Sequence, residues 1–401
     1  CMLIACGGSD DTPDGDNNPP VVVPPDEEPV DSRLLYNGIR LPEQWPPVRS
    51  SSSELEKGMS PFYLSDKPSV INISVGRQLF VDNFLIESTN LKRTLYYPEY
   101  YSGNPILTPE QDWEKTGTKG AAFAAPFSDG VWYDEKEGKY KMWYMAGGGS
   151  YATSGAGVTC YAESTDGIHW TKPTLSVVAG TNIVDYNSER DASVIWLDKQ
   201  ESNASKRYKM FLVARESGKW RYRYKTSPDG KVWRAAAQSE PIADRSTVYK
   251  NPFRNVWVYS MRHNVRVDAN KLVRARDYNE NADPEVGTKK AEALLSAFWF
   301  GPWANEQRHT DYPNIAPAIY NQDATPYESI MLGFFSVWQG PENDVCASDN
   351  VIKRNQVMVG YSRDGYSWFR EDMNPFHAVN TTTSDAWNQG NLQSVAGAPL
   401  I

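Results

Sequence analysis

A four-part pattern recurs along this chain of 401 residues and restricts its fold more than any other feature. Each copy contains strand-like segments followed by a Ser-x-Asp-Gly-x-x-Trp box, and boxes begin at Ser164, Ser227 and Ser362. The first two lie 227 − 164 = 63 residues apart, and the third follows after 362 − 227 = 135, roughly two periods. A four-stranded antiparallel sheet needs a segment of that length, so the period predicts the blades of a β-propeller.

Local patterns favour strands over helices. Trp220–Thr226 alternates aromatic and charged residues, which is the period of a strand. A parallel barrel would need amphipathic helices between its strands, and only residues 288–298 are typical of one. Four copies reach residue 370, and Asp385–Ile401 resembles the opening of a fifth. We therefore predict an all-β fold over residues 76–401: a five-bladed β-propeller of four-stranded antiparallel blades, the fifth incomplete in this chain, with Gln78–Ile86 as a closing strand.

The N-terminal segment has the composition of an exported tether. Leu3-Ile-Ala-Cys6 resembles the lipobox of bacterial lipoproteins, which predicts lipidation at Cys6 after removal of a signal peptide that is truncated here. Residues 1–31 are rich in Asp, Glu, Pro and Gly and are predicted to be a disordered tether. Residues 32–75 are predicted to wrap irregularly over the propeller. The predicted location is the cell envelope, on a lipid anchor facing the periplasm or the exterior; the alternative is a tail in which the four residues occur by chance.

Charge and composition exclude several partners. The net charge is 41 − 50 = −9, which argues against a nucleic-acid partner held through its phosphates. The 14 Trp and 23 Tyr residues suit packing between sheets or the lining of a sugar site. The 4 His residues lack metal-ligand spacing, so we expect no cofactor and no transition metal, while a structural calcium ion stays open. We expect a monomer with a carbohydrate as its partner.

Three aspartates recur at the start of successive copies. Asp129, Asp191 and Asp244 each stand before the first strand of a copy, and they are separated by 62 and 53 residues (191 − 129 and 244 − 191). The first strand of a propeller blade lies innermost, so these carboxylates are predicted to surround one axial pocket. Cleavage of a glycosidic bond needs paired carboxyl groups, one of which protonates the leaving oxygen. The alternative is that each Asp caps the turn before its strand.

These features resemble glycoside hydrolase families 32 and 43, which are five-bladed propellers that act on fructans, arabinans and xylans. Arg190-Asp191 resembles the Arg-Asp pair of family 32, and Asn104-Pro-Ile-Leu107 is similar to a segment of family 43. Gly76–Glu87 resembles the opening of a set of bacterial propellers grouped loosely with family 32. The resemblance implies that Asp129 is base or nucleophile, that Asp191 stabilises the transition state, and that the acid is Asp244 or its rival, Glu328.

The chain also departs from those families. The Trp-Met-Asn-Asp-Pro-Asn-Gly motif is replaced by Ser128-Asp-Gly130, and Asp244-Arg-Ser246 stands where those families have a glutamate. Two functions therefore stay open: a glycoside hydrolase, and a non-catalytic propeller that binds glycans. Candidate groups for holding a sugar are the polar and aromatic side chains of Arg190, Arg245, Arg262, His263, Trp113 and Trp132.

Overall fold

The chain folds as an all-β propeller, which confirms the predicted fold class. The computed structural model describes residues 32–115, 122–152, 157–186, 188–267, 271–293, 295–382 and 386–400. These residues form four antiparallel sheets, three of four strands and one of three. In every sheet the first strand in sequence lies at the inner edge, in contact with the first strand of a neighbouring sheet. Cys6 and the predicted tether lie outside the described residues.

Blade one is the first sheet. It consists of β1 (Ala124–Asp134), β2 (Lys139–Ala146), β3 (Val158–Ser164) and β4 (Ile183–Asp185), hydrogen-bonded in that order. The middle of β2 is buried, and Trp143 is completely enclosed there against aromatic rings of blades one and two.

Blade two repeats this arrangement. It consists of β5 (Glu189–Leu197), β6 (Tyr208–Glu216), β7 (Lys219–Ser227) and β8 (Arg234–Gln238). The middle of β6 is apolar throughout because this strand is covered on both faces by neighbouring blades.

Blade three consists of β9 (Thr247–Asn251), β10 (Val256–Arg266), β11 (Leu272–Asn281) and β12 (Ala297–Phe300). The long hairpin of β10 and β11 carries charged residues toward its closed end, next to the turn, and that end contributes to the site described below.

Blade four has three strands, β13 (Ala318–Tyr327), β14 (Ile330–Gly340) and β15 (Arg354–Ser362). The place of a fourth strand is taken by a segment that forms two isolated bridges to β15, Tyr361 with Phe369 and Val357 with His377. Within the described residues the predicted fifth blade is therefore absent as a sheet.

The segment predicted to open blade five instead extends the inner edge of blade one. Ser128 N–H donates to the Ser394 carbonyl (3.2 Å), and Ala396 N–H donates to the Ser128 carbonyl (2.7 Å). Val131 N–H donates in turn to the Ala396 carbonyl (2.9 Å). These bonds place residues 394–396 parallel to β1, between blades one and four.

Helices are short and lie in the connections. They are α1 (Ser51–Glu54), α2 (Asp112–Lys115), α3 (Pro284–Lys290) and α4 (Asn343–Asp349). The helix predicted over residues 288–298 is wrong in its bounds, because the Asp283 carboxylate caps the N–H groups of the first turn and starts α3 earlier. No helix among the described residues is long and apolar enough to span a bilayer.

The predicted strand Gln78–Ile86 is also wrong. Residues 32–115 contain no strand longer than an isolated bridge, and this segment packs beneath blade four. Its anchor is the buried Asp82 carboxylate, whose oxygens lie 2.8 and 3.0 Å from the Arg363 guanidinium. An ion pair, rather than main-chain hydrogen bonding to a strand, therefore holds this segment in place.

The Ser-x-Asp-Gly boxes form tight turns, as the sequence predicts. In blade two, Asp229 accepts hydrogen bonds from Ser227 Oγ (2.9 Å) and from the N–H groups of Lys231 and Val232. Gly230 has φ +76°, and a Cβ atom there would lie 2.3 Å from the Trp143 ring. Both the backbone conformation and the approach of blade one therefore require glycine at this position.

Candidate active site

The innermost strands begin at one end of the propeller, here called the site face. Strands β1, β5 and β13 each carry a β-bulge near their start, which disrupts the register of their pairing. A bulge bends the strand and redirects its side chains, and such features are common beside active sites. The predicted aspartates of blades one and two lie at these bulges, within the strands rather than before them.

Asp129 is fully buried. Its Oδ1 accepts a hydrogen bond from Arg190 Nη2 (2.9 Å), and its Oδ2 accepts one from the Phe127 N–H (2.7 Å). Burial raises the pKa of Asp129, and the Arg190 guanidinium opposes this shift. The carboxylate is 0% exposed, so it does not face solvent as a base or nucleophile would.

The Arg190 side chain binds Asp129 instead of lining the predicted axial pocket. Its Nη1 donates to Thr159 Oγ1 (2.7 Å) and its Nε donates to the Asp191 carbonyl (3.2 Å). The guanidinium is therefore taken up between blades one and two, although the sequence predicted a sugar-binding role for it.

Asp191 is linked to blade three. Its Oδ1 accepts the main-chain N–H of Arg245 (2.9 Å) and lies 3.5 Å from Arg245 Nε. The Arg245 guanidinium is buried between two rings, with its Cζ 3.3 Å from the centroid of Phe127 and 4.7 Å from that of Tyr320. Arg245 has φ +58°, a backbone conformation that is unfavourable for a residue with a Cβ atom and that persists here because surrounding contacts determine it.

Asp244 lies directly before β9, next to Arg245 in sequence. Its Oδ1 forms an ion pair with Arg262 Nη2 (2.6 Å). Burial raises the pKa of Asp244; the Arg262 guanidinium opposes that shift, and the Asp191 carboxylate raises the pKa further. The side chains of Asp191 and Asp244 are 18% and 26% exposed, so both are accessible from outside. The structure thus brings two accessible carboxylates together, with the third buried behind Arg190.

The sequence reasoning missed a fourth carboxylate, Asp323 on β13. Its Oδ2 accepts hydrogen bonds from Ser128 Oγ (2.8 Å), Ser394 Oγ (2.6 Å) and Asn321 Nδ2 (3.2 Å), and burial raises its pKa. The only signal for it was its place on the first strand of the fourth copy. Asp323 thus links blade four to blade one and to the segment 394–396 between them.

Arg276 on β11 was missed as well. It is fully buried, donates from Nη1 to the Arg245 carbonyl (2.9 Å) and from Nε to Ser260 Oγ (2.9 Å), and burial lowers its pKa to about 10. Its hydrogen bond to the Arg245 carbonyl helps to hold the main chain at Arg245 in place.

The structure places Glu328 elsewhere. This residue forms the turn between β13 and β14, at the opposite end of β13 from the site face. Its Oε1 binds the Arg77 guanidinium (2.6 and 2.8 Å), and its Oε2 accepts the Arg77 N–H (2.7 Å). The structure therefore separates Glu328 from the other predicted carboxylates, and its candidacy as the acid is not supported.

Arg262 and His263 are neighbours on β10 with different contacts. Arg262 pairs with Asp244, as described above. His263 Nδ1 lies 2.8 Å from Oδ2 of the buried Asp277, which raises the pKa of His263, and its ring stands edge-on to Phe298. Of these two neighbours, only Arg262 directly contacts one of the predicted carboxylates.

The two tryptophans predicted to stack on sugars pack within the protein. Trp132 donates to the Ile195 carbonyl (2.7 Å) and meets Trp196 edge-on, so it belongs to the core between blades one and two. Trp113 donates to Asn182 Oδ1 (3.0 Å) and contacts Tyr151 at the rim of blade one.

No group of three His, Cys, Asp or Glu side chains in the described part of the chain is arranged to hold a metal ion. The expectations about cofactors and calcium remain predictions.

No protein-family model and no curated protein matches the chain. Solved structures with similar folds include a fructofuranosidase from Schwanniomyces occidentalis complexed with fructosylnystose. It shares 13% sequence identity with this chain, with TM-score 0.42, and the match covers 68% of this chain and 48% of that one. A proposed glycoside hydrolase from Parabacteroides distasonis shares 13% identity, with TM-score 0.44, over 75% of this chain and 89% of that one. An N-acetylgalactosamine deacetylase from F. plautii, in complex with blood group B trisaccharide, shares 12% identity, with TM-score 0.43, over 68% and 74%.

The chain spans about half the length of the fructofuranosidase. The sequence is expected to resemble glycoside hydrolases, and two of these structures are described as a fructofuranosidase and a proposed glycoside hydrolase. At these identities and scores the likeness assigns neither an activity nor a residue.

Proposed function

We propose that the protein hydrolyses glycosidic bonds at the site face, with Asp244 as proton donor and Asp191 as the second carboxylate. The observation that carries this proposal is the pair of partly exposed carboxylates on neighbouring blades, Asp191 on β5 and Asp244 before β9. They are linked through Arg245, which follows Asp244 in the chain and donates its main-chain N–H to Asp191 (2.9 Å). Two carboxyl groups in one site are the minimal equipment for this reaction.

The environments of the two groups suit different tasks. Burial and the Asp191 carboxylate both raise the pKa of Asp244, which favours the protonated form needed to donate to the leaving oxygen. Asp191 accepts the Arg245 N–H, which fixes the orientation of its carboxylate. Asp191 then either takes a proton from the attacking water or attacks the anomeric carbon itself, while the departing sugar leaves with the proton from Asp244.

Asp129 acts in this proposal as a positioning residue. It fixes Arg190, whose Nε holds the Asp191 carbonyl (3.2 Å). Its substitution should change the protein's stability more than the leaving-group dependence of its rate.

We further propose that residues 394–396 are the innermost strand of a fifth blade. Their parallel main-chain bonds to β1 support this, since neighbouring innermost strands surround the axis side by side.

The test is hydrolysis of a panel of aryl glycosides and oligosaccharides by the parent, Asp191→Asn and Asp244→Asn. Loss of a general acid or its partner should lower kcat/KM by about 10²–10⁴-fold on substrates with poor leaving groups. For Asp244→Asn the loss should shrink on dinitrophenyl glycosides, because a good leaving group needs no proton. Asp191→Asn should lose activity on both kinds of substrate.

The matched control is Asp229→Asn, which changes a turn aspartate of blade two far from the site face. It should hydrolyse each substrate at the parent rate. If the two site variants also match the parent, or if the parent cleaves no substrate, the proposal of an enzyme fails.

The second candidate function is glycan binding without catalysis. It is favoured by Asp129, whose two carboxylate oxygens are occupied by Arg190 and the Phe127 N–H. Glycan binding that persists in Asp191→Asn and Asp244→Asn, together with no hydrolysis by the parent, would establish this alternative.

We also propose that the protein works as a monomer on a lipid anchor at the cell envelope, from the lipobox-like segment that ends at Cys6. Labelling of cells with a radioactive fatty acid should mark the parent and not Cys6→Ser. Equal labelling of both would contradict the anchor, and light scattering of the purified protein tests the monomer.

A further inference from the structure

Three arginine side chains lie close to Asp244. Arg262 pairs with its carboxylate (2.6 Å), Arg245 follows it in the chain, and the guanidinium groups of Arg262, Arg245 and Arg274 all act to lower its pKa.

Arg245 is held by several contacts within the protein, although its buried Nε has no hydrogen-bond partner among the described residues. Its guanidinium is stacked between two rings, its N–H binds Asp191, and its Nη1 lies 3.3 Å from Gln393 Oε1. It is also buried, so it positions Asp191 and is not open to a ligand.

Arg262 retains unused hydrogen-bonding capacity. One nitrogen, Nη2, pairs with Asp244 (2.6 Å). Its Nε is buried and has no hydrogen-bond partner among the described residues. A buried donor without a partner is unfavourable, and the Arg262 side chain as a whole is 17% exposed, against 2% for Arg245, so a ligand acceptor that reaches the Arg262 guanidinium would contribute binding free energy.

Arg274 on β11 is held in place by rings rather than by carboxylates. Its Cζ lies 4.9 Å from the centroid of Trp338 and 5.6 Å from that of Tyr320. In the part of the chain that the structure describes, its ion-pair partner is the Glu342 carboxylate, 3.5 Å away and 56% exposed. A long ion pair with so exposed a partner contributes little, so Arg274 can exchange it for a ligand anion.

We infer that the sugar unit bound beside Asp244 carries an anionic group, a carboxylate or a sulfate, which Arg274 and Arg262 bind. A guanidinium presents two parallel N–H groups that match the oxygens of such an anion. The rings of Trp338 and Tyr320 hold Arg274 in one orientation, which lowers the entropy cost of binding. This inference rests on the proposed use of the site for carbohydrate, whether it is cut or only bound.

The experiment compares matched glycans that differ only in charge. One pair is a uronic-acid oligosaccharide and the same oligosaccharide with its carboxyl groups reduced to hydroxymethyl groups. The other pair is a sulfated oligosaccharide and its desulfated form. Binding to the Asp244→Asn protein, which should not consume the ligands, is measured by calorimetry at low and at high salt.

We expect one acidic glycan to bind at least tenfold more tightly than its neutral counterpart, by an amount that falls with added salt. Whichever pair shows the preference identifies the anion as carboxylate or sulfate. Arg274→Gln in the same background should abolish the preference, and Arg274→Lys should retain part of it. The control is Arg234→Gln, an exposed arginine at the start of β8, at the end opposite the site face, which should leave the preference intact.

Equal binding of the members of both pairs, no binding of either acidic glycan, or a preference that survives in Arg274→Gln would overturn the inference. The proposed hydrolysis has a separate readout. If the parent cleaves neutral glycans in an Asp244-dependent reaction but shows no acidic preference, the inference fails and hydrolysis stands. If acidic glycans bind through Arg274 and nothing is cleaved, the inference stands and hydrolysis fails.

Discussion

The propeller uses aspartate repeatedly at both of its ends, and the two sets differ in what they bind. At the Ser-x-Asp-Gly turns, Asp166, Asp229 and Asp364 accept hydrogen bonds from a serine and from main-chain N–H groups within three residues. On the site face, Asp129 and Asp191 bind arginines that belong to the next blade. The turn aspartates therefore need only local sequence, whereas the site aspartates depend on assembly of the whole ring.

This difference explains why the turn aspartates shape the chain, whereas the aspartates on the site face can take part in a reaction. A turn carboxylate is held by short-range geometry and has no reason to change its contacts. A carboxylate held by a guanidinium from another blade lies in a shared, partly dry space, where proton affinity responds to neighbouring charges. Repetition of a residue in a propeller is thus not enough to assign it a role.

Arg190→Ala should have the largest effect on stability and tests the dependence on neighbouring blades. It leaves the fully buried Asp129 carboxylate without its guanidinium, which should lower the free energy of unfolding by about 3–5 kcal/mol. Urea unfolding measures the loss. Asp129→Asn added to Arg190→Ala should recover part of it, because the buried charge is then removed.

The control for this change is Arg215→Ala. Arg215 pairs with Glu189 at 3.2 Å, and the two side chains are well exposed, so the loss should stay below about 1 kcal/mol. Similar losses from both variants would mean that the axial pair is no more important than a surface pair.

Asp364 provides a sharper test of the turn aspartates. Its Oδ1 accepts three hydrogen bonds, whereas the buried Oδ2 has no hydrogen-bond partner among the described residues. Asp364→Ala should cost about 1–3 kcal/mol in unfolding free energy. Asp364→Asn keeps Oδ1 and removes a buried charge, so its melting temperature should equal or exceed that of the parent. An equally damaging Asn variant would show that the charge itself is required.

The pH dependence of hydrolysis tests Asp244 as the acid. Because burial raises its pKa, the protonated form persists above the ordinary aspartate value of about 3.9, and kcat/KM should fall about tenfold per unit once pH exceeds the raised pKa. Asp244→Asn should lack this basic limb, and Asp229→Asn should keep it. A limb that survives in Asp244→Asn would assign the proton to another group.

Glu328→Gln should have the smallest effect on the rate. Glu328 binds Arg77 at the far end of β13, so kcat/KM should stay within about twofold of the parent value. A large loss in a normally folded variant would place this end of the propeller in the reaction.

The repeat period and the turn boxes were enough to predict the propeller, because both depend on residues close together in sequence. Their spacing fits one sheet, and Gly230 marks a turn whatever surrounds it. The strand predicted at residues 78–86 was wrong because its apolar pattern carried no sign that Asp82 pairs with Arg363, 281 residues away (363 − 82).

The site could be predicted only in part. The positions of Asp191 and Asp244 followed from the repeat, but the burial of Asp129 depends on a guanidinium from another blade. Asp323 and Arg274 escaped notice since neither stands at a conspicuous place in its copy. Their importance comes from Ser394 and from the rings of Trp338 and Tyr320, which lie close only in the folded chain.

The hydrogen bonds of residues 394–396 to β1 have a consequence for biosynthesis. Ser128 and Ser394 are 394 − 128 = 266 residues apart, yet both donate to Asp323. A growing polypeptide leaves the ribosome from its N-terminus, so the inner edge of blade one stays without this partner until residues 394–396 have been translated. During that interval the exposed strand edge is open to pairing with other nascent chains, and chaperones that shield such edges should bind this protein before its axis closes.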